Sequence, residues 1–223
     1  MSLLFADLSG IPIVRAKLDI PLTGIWMADV KLDRAVGPAL TGPQVLTLAG
    51  SQWVCSPLRA IDFTGTREGR LVGGQGGWRT SVPALEYASP SGVPTALVLS
   101  DVAGTVREIP PVLSPTVPAT LGQYWCRQAA LASLVLWQIL GSGWYMDPTG
   151  AVQTAPRFPT LIPSPFYATA VDGCVGRYEI ATEFPADWVP GATFLGPTVS
   201  GTVSRVMHIL EAGSLRTEVL SSP

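Results

Sequence analysis

The chain has 223 residues, of which 13% are charged, and it contains 23 glycines and 21 prolines. This glycine and proline content excludes a mainly helical protein, because both residues destabilise helix interiors. The net charge of −2, without a long basic run, argues against a dedicated nucleic-acid-binding protein. The length fits one large domain or two small ones.

The first elements in chain order are two strands. In residues 11–20 and 26–33, apolar side chains alternate with more polar ones, which predicts half-buried strands. The turn-forming residues from Pro21 to Gly24 make the two strands an antiparallel hairpin. The side chains expected on the buried face are Val14, Ala16, Leu18, Ile20, Trp26, Ala28, Val30 and Leu32.

Further short strands follow at regular spacing. We predict strands at Gln44–Leu48, Gln52–Cys55 and Arg59–Gly65, and either strands or a short helix at Ser81–Tyr87 and Ala96–Ser100. Many short strands with frequent turns are typical of a β-barrel or sandwich. We therefore expect an antiparallel, barrel-like domain over residues 1–108.

Residues 109–223 are expected to form a smaller β region with one buried helix. Four prolines in Ile109–Pro118 indicate an extended linker. The helix is predicted over about 120–140, with Thr120 as N-cap, Gln123 at the capping-box position and Gly141 as the stop. Later strands are expected at Trp144–Met146 and Ala151–Thr154 around a turn, at Gly176–Thr182, and in a C-terminal hairpin of Val199–Leu210 with Leu215–Leu220.

The segment from Ile109 to Val171 contains only three charged residues, Arg127, Asp147 and Arg157. So few charges on a chain of this size indicate a surface that is covered by other subunits. Prolines blunt sheet pairing and suit extended contact arms, so we expect the two proline-rich stretches, 109–118 and 155–171, near subunit contacts. The apolar side chains expected to need a partner are Val112, Leu113, Phe158, Leu161, Ile162, Phe166 and Tyr167.

Two motifs are candidates for a chemical role. His208, the only histidine, is either a general base or a strand histidine held by a hydrogen bond at its tip, and we favour the second. The glycine cluster Gly73–Gly77 lacks the Gly-Lys-Ser/Thr and following helix of a phosphate-binding loop. We expect instead a tight bend or strand crossing where side chains do not fit.

The carboxylates, tryptophans and cysteines show no recognisable catalytic or metal-binding pattern. Paired carboxylates could hydrolyse sugars, but the candidates Glu68, Glu86, Asp101, Glu108 and Asp172 are interpreted as surface turn residues. The seven tryptophans are expected in core and interface packing. Cys55, Cys126 and Cys174 are expected as buried free thiols, without a metal site. We predict no catalytic, cofactor-binding or metal-ligating residue, no signal peptide and no membrane-spanning segment.

Four stretches resemble baseplate or tail-tip hub proteins of tailed bacteriophages. They are IPIVRAKLDIPLTGIWMADVKLD, GRLVGGQGGWRTSVPALEY, the segment QYWCRQAALASLVLWQIL with GWYMDPTGAVQTA, and the ending RVMHILEAGSLRTEVL. The resemblance implies barrel-like β domains and a structural subunit without enzyme activity or cofactor. It also implies a virion location at the tail tip or baseplate after assembly in the host cytoplasm.

In that family, hub subunits form a ring, commonly a trimer, that closes the tail tube and holds a central spike. The implied partners are therefore copies of this chain and other tail proteins, with no membrane insertion and no specific nucleic-acid binding. The alternative is a tail-associated peptidoglycan hydrolase or glycan-binding module, although no lysin motif matches. A contractile-injection or gene-transfer particle component would share the same physical features.

Overall fold

The computed structural model describes residues 6–33, 38–48, 50–62, 67–157, 160–211 and 213–222. Strands make up 47% and helices 13% of the structure, and the two α-helices are short. The prediction of a mainly β protein is confirmed. No helix in the described ranges combines the length and apolar character needed to cross a bilayer.

Six antiparallel strands close into a barrel. They follow the spatial order β1-β4-β5-β6-β3-β2, and pairing of β1 with β2 closes the ring. Inward side chains of these strands, such as Leu18, Leu32 and Leu46, are fully buried. The strands are β1 (Ala6–Leu8), β2 (Ile11–Pro21), β3 (Met27–Leu32), β4 (Gln44–Leu48), β5 (Ser51–Pro57) and β6 (Glu68–Gly73).

The predicted β2–β3 hairpin is present, but one of its side chains was assigned to the wrong face. The register shifts between Ile13 and Arg15, so Val14 is the extra residue of a β-bulge. Because of the bulge, Ile13 points inward and Val14 is 46% exposed. The alternation from Ala16 to Ile20 holds as predicted.

The C-terminal hairpin continues the sheet of the barrel. Strand β16 (Ser200–Glu211) pairs antiparallel with both β2 and β17 (Ser214–Ser222), which confirms the predicted hairpin. Strands β14 (Arg177–Ala181) and β13 (Tyr167–Asp172) follow at the edge beyond β17, and β15 (Thr193–Leu195) pairs with the first part of β16. The domain division after residue 108 stays a prediction.

Two helices and several short pairs fill the middle of the chain. Helix α1 spans Thr95–Val106 and helix α2 spans Ala132–Leu140. The two-stranded pairs are β7 (Ser81–Val82) with β10 (Ala130–Leu131), β8 (Leu85–Ala88) with β9 (Tyr124–Arg127), and β11 (Tyr145–Met146) with β12 (Val152–Gln153). Single 3₁₀ turns occupy Gly77–Arg79 and Pro185–Asp187.

The helix predicted over about 120–140 begins only at Ala132, and Thr120 is not its N-cap. The preceding residues pair with strands far back in the chain: Tyr124–Arg127 with Leu85–Ala88, and Ala130–Leu131 with Ser81–Val82. These backbone hydrogen bonds outweigh the local preference for helix. The strand expected at Arg59–Gly65 lies partly outside the described residues, and Ile61 forms an isolated bridge with Leu40.

Candidate assembly surface

The glycine cluster is a place of close backbone approach, as predicted. A Cβ atom on Gly73 would lie 2.5 Å from the sulfur of Met146 and 2.6 Å from the indole nitrogen of Trp26. A Cβ atom on Gly77 would lie 2.0 Å from the carbonyl oxygen of Val106, at the end of helix α1. Gly74 and Gly76 have φ angles of 80° and 89°, which favour glycine.

The backbone N–H groups of this glycine loop bind a carboxylate of the same chain. Gly77 and Trp78 donate to Oε1 of Glu108 at 2.6 Å and 3.4 Å, and Gln75 donates to Oε2 at 3.1 Å. Burial raises the pKa of Glu108, and these donors partly offset that effect. Glu108 is 7% exposed, so its interpretation as a surface turn carboxylate was wrong. The loop therefore holds the Glu108 carboxyl group of its own chain.

Three other candidate carboxylates have structural partners. Asp101 accepts the hydroxyl of Tyr87 at 2.6 Å and lies 3.1 Å from the buried guanidinium of Arg127. Burial raises the pKa of Tyr87 to about 12. Glu68 lies 3.0 Å from Lys31, and Asp172 accepts the backbone N–H of Cys174. Glu86 lies on strand β8 and is exposed. Together these contacts favour structural roles.

His208 is a buried strand residue. It is 4% exposed, and its Nδ1 lies 3.0 Å from the hydroxyl of Thr217 on the paired strand β17. Burial lowers the pKa of His208 from 6.5 to about 4, so the ring is neutral at neutral pH. These contacts support the structural interpretation of this residue.

We expect His208 to make folding sensitive to mild acid. The unfolded chain binds the proton more tightly, so the free energy of unfolding falls as pH drops from 6.5 towards about 4. Between about pH 7 and about pH 5, the expected loss from this group is roughly 2 kcal/mol. Urea unfolding of wild type and His208→Gln at both pH values measures it. Equal pH dependence in the two proteins would contradict the assignment.

The tryptophans pack mainly in the core, and the cysteines differ from one another. Trp26 and Trp53 meet edge to face at 5.3 Å inside the barrel. Cys55 is buried, whereas Cys126 and Cys174 are exposed, so the expectation of three buried thiols was wrong for two of them. No group of three His, Cys, Asp or Glu residues within the described ranges could hold a metal ion.

Helix α2 carries an apolar stripe on its outer face. Leu134 and Trp137 are 48% and 41% exposed, and Leu131, just before the helix, is 38% exposed. Residues spaced by three lie on one helix face, so these three side chains form a single strip. The helix contains no charged residue, yet this face is exposed, so the helix is half buried and not fully buried as predicted.

A groove of about 520 Å³ adjoins the C-terminal end of α2. Its lining includes Ile139 and Leu140 from the helix, and Trp144, whose ring lies 5.4 Å from that of Trp137. It also brings together residues 116–118, at the end of the first proline-rich stretch, and residues 154–157, at the start of the second. The stripe and this groove together are called the apolar surface below.

Within the proline-rich stretches, the side chains expected to need a partner divide into two groups. Val112, Leu161 and Tyr167 are 53%, 58% and 76% exposed. Ile162 is buried, and Phe166 packs edge to face on Trp188 at 5.0 Å, so neither needs a second subunit. Leu113 is partly buried against the core, and Phe158 lies outside the described residues.

Three solved structures share this architecture. One is the E. coli c3393 protein, described as a component of the type VI secretion system with structural similarity to the T4 bacteriophage tail proteins gp27 and gp5. It matches with a TM-score of 0.64 at 10% sequence identity, and the match covers 98% of this chain and 77% of that chain. The chain has a tail-protein fold. No protein-family model and no curated protein matches the sequence.

Two further matches have the same tail-protein fold. The 43 kDa tail protein of prophage MuSo2 from Shewanella oneidensis matches with TM-score 0.60 at 7% identity, covering 96% of this chain and 95% of that one. The tail protein from Neisseria meningitidis MC58 matches with TM-score 0.59 at 13% identity, covering 96% and 94%. At such low identities, the likeness extends to the fold alone.

Proposed function

We propose that the chain is a structural subunit of a phage tail, acting in the baseplate or tail-tip hub. The observation that carries this proposal is the apolar surface around α2, which lies within a segment almost free of charge. Exposed contiguous apolar patches on small proteins mark interaction sites. The tail-protein fold supports the same role, because its solved examples are described as tail and secretion-system components.

The proposed assembly is a ring, most simply a homotrimer, that joins the tail tube to the central spike or tip. Its partners are copies of this chain together with tube, spike and baseplate proteins. The protein would assemble in the host cytoplasm and reside in the virion at the tail tip. The proposal includes no membrane insertion, no specific nucleic-acid binding and no enzyme activity.

A peptidoglycan assay tests the non-enzymatic part of this proposal. The partners found for Glu68, Asp101, Glu108 and Asp172 are those of structural carboxylates. Purified wild type should therefore release no soluble fragments from peptidoglycan. Turnover that disappears in Glu86→Gln or another carboxylate variant would overturn the proposal in favour of a tail-associated hydrolase.

The assembly part is tested by charging the apolar surface and the second proline-rich stretch. Leu134→Asp combined with Leu161→Asp changes two exposed side chains, so the monomer should still fold. Burying two unpaired carboxylates in a subunit contact is costly, and we expect self-association at least about 100-fold weaker. Light scattering measures the mass, and particle reconstitution measures entry into tails. Phe166 is unsuitable as a target because its ring packs against the core of the monomer.

The matched control is Val14→Asp, which charges a similarly exposed valine on the bulge of β2. Circular dichroism should show native folding of both variants. If wild type is a stable monomer and the double variant still enters particles, the proposed ring contact is wrong.

A further inference from the structure

A second surface, on the outer face of the barrel, is basic. A groove of about 650 Å³ is lined by outward residues of β2, β3 and β6 and by residues 58–60. It contains both lysines of the chain although the chain as a whole is slightly acidic. Its basic side chains are Arg15, Lys17, Lys31, Arg59 and Arg70, and its acidic ones are Asp29 and Glu68. We call this surface the basic groove.

The two acids of the basic groove neutralise only two of its five cations. Arg70 forms a two-point ion pair with Asp29, with contacts of 2.6 Å and 2.9 Å, and Lys31 lies 3.0 Å from Glu68. Arg15 lies 3.9 Å from Glu211, a residue outside the groove. Because both side chains are exposed, this ion pair is weak.

Lys17 and Arg59 form no ion pair with any residue in the described part of the chain. All 16 aspartates and glutamates belong to that part, so the remaining residues have no acidic side chain to offer. An acidic side chain that pairs with Lys17 and Arg59 in this conformation must therefore come from another molecule.

The barrel also holds like charges against each other in this groove. Arg15 is the direct partner of Lys31 on β3, a like-charge contact that disfavours this pairing, and the acids Glu211 and Glu68 face the other sides of the two cations. Arg15 and Lys17 lie on the same outer face because they are two residues apart on β2, whereas the bulge at Val14 reorients the residues before it. A local arrangement that works against folding is expected at a binding site, where a bound anion relieves the repulsion.

We propose that the basic groove binds an acidic peptide segment of a partner protein. Arg15 and Lys17 lie two residues apart on one strand face, about 7 Å along the strand, which matches carboxylates at alternate positions of an extended peptide. Nucleic acid fits less well, because Asp29 and Glu68 lie among the cations and would repel a continuous row of phosphates. The groove shares no lining residue with the apolar surface, so this inference does not depend on the tail role.

Fluorescence anisotropy with a synthetic probe tests this proposal. The probe is a labelled peptide of about 12 residues with glutamate at alternate positions, compared with its glutamine version and with a single-stranded oligonucleotide of similar length. We expect the full chain to bind the glutamate peptide, with affinity falling as salt rises. Lys17→Gln combined with Arg59→Gln should weaken binding about tenfold.

The control removes two exposed arginines outside the groove, as Arg107→Gln with Arg216→Gln, and should leave the affinity unchanged. Binding of the glutamine peptide with equal affinity would overturn the proposal, as would equal weakening by the control pair. Tighter, groove-dependent binding of the oligonucleotide would assign the site to nucleic acid instead. Absence of any peptide binding at low salt would also reject it.

Discussion

Replacing Gly77 by alanine should prevent stable folding. The new Cβ atom would lie 2.0 Å from the carbonyl oxygen of Val106 and 2.9 Å from Cγ of Glu108. The first contact is with backbone, so relief requires moving the end of helix α1 away from the glycine loop. We expect a destabilisation of more than about 3 kcal/mol, measured by thermal and urea unfolding.

Gly104→Ala is the matched control for this substitution. Gly104 lies inside helix α1, and a Cβ atom there meets nothing within 4 Å. Alanine favours the helix over glycine by roughly 0.5–1 kcal/mol, so this variant should be slightly more stable than wild type. Similar melting temperatures for the two variants would show that the glycine loop tolerates a side chain and that the packing described here is wrong.

Removing the carboxylate of Glu108 should be nearly as damaging. In Glu108→Ala, the backbone N–H groups of Gln75, Gly77 and Trp78 lose their acceptor in a largely buried site. Each buried donor left unsatisfied costs about 1–3 kcal/mol, so the free energy of unfolding should fall by about 3 kcal/mol or more. Glu108→Gln keeps one acceptor oxygen and should lie between alanine and wild type.

Glu86→Ala serves as the reference for Glu108. Glu86 is exposed on strand β8, and surface changes of this kind usually shift stability by less than about 0.5 kcal/mol. Denaturant unfolding of the three variants at neutral pH provides the comparison. If Glu108→Ala unfolds at the same urea concentration as Glu86→Ala, the carboxylate does not hold the loop.

The β2–β3 hairpin and the C-terminal hairpin were predictable because their signals are local. Alternating polarity and turn residues define β2, β3, β16 and β17, and the pairing follows from them. The start of helix α2 was not predictable in this way. The local sequence of residues 124–131 favours helix, but the backbone in this segment pairs with strands that lie 36 to 50 residues earlier. The local pattern does not encode that pairing.

The candidate surface was found only in part from the sequence. The shortage of charged residues between positions 109 and 171 identified the right segment. It could not distinguish exposed Leu161 from Phe166, whose ring packs on Trp188 against the core. Glu108 was missed because its partners are backbone N–H groups about 30 residues away. The one sequence signal was the glycine cluster, which marked a loop able to present several N–H groups to one acceptor.

The pairing of β2 with β16 has a consequence during protein synthesis. The ion pair between Asp19 and Arg205 joins residues that are 186 positions apart. At a synthesis rate of about 5–20 residues per second, the edge of β2 stays unpaired for roughly 10–40 seconds until β16 is made. An open strand edge is a template for aggregation. Arg15, Lys17 and Asp19 alternate along the outer face of β2, and charged side chains beside an open strand edge disfavour its pairing with other chains.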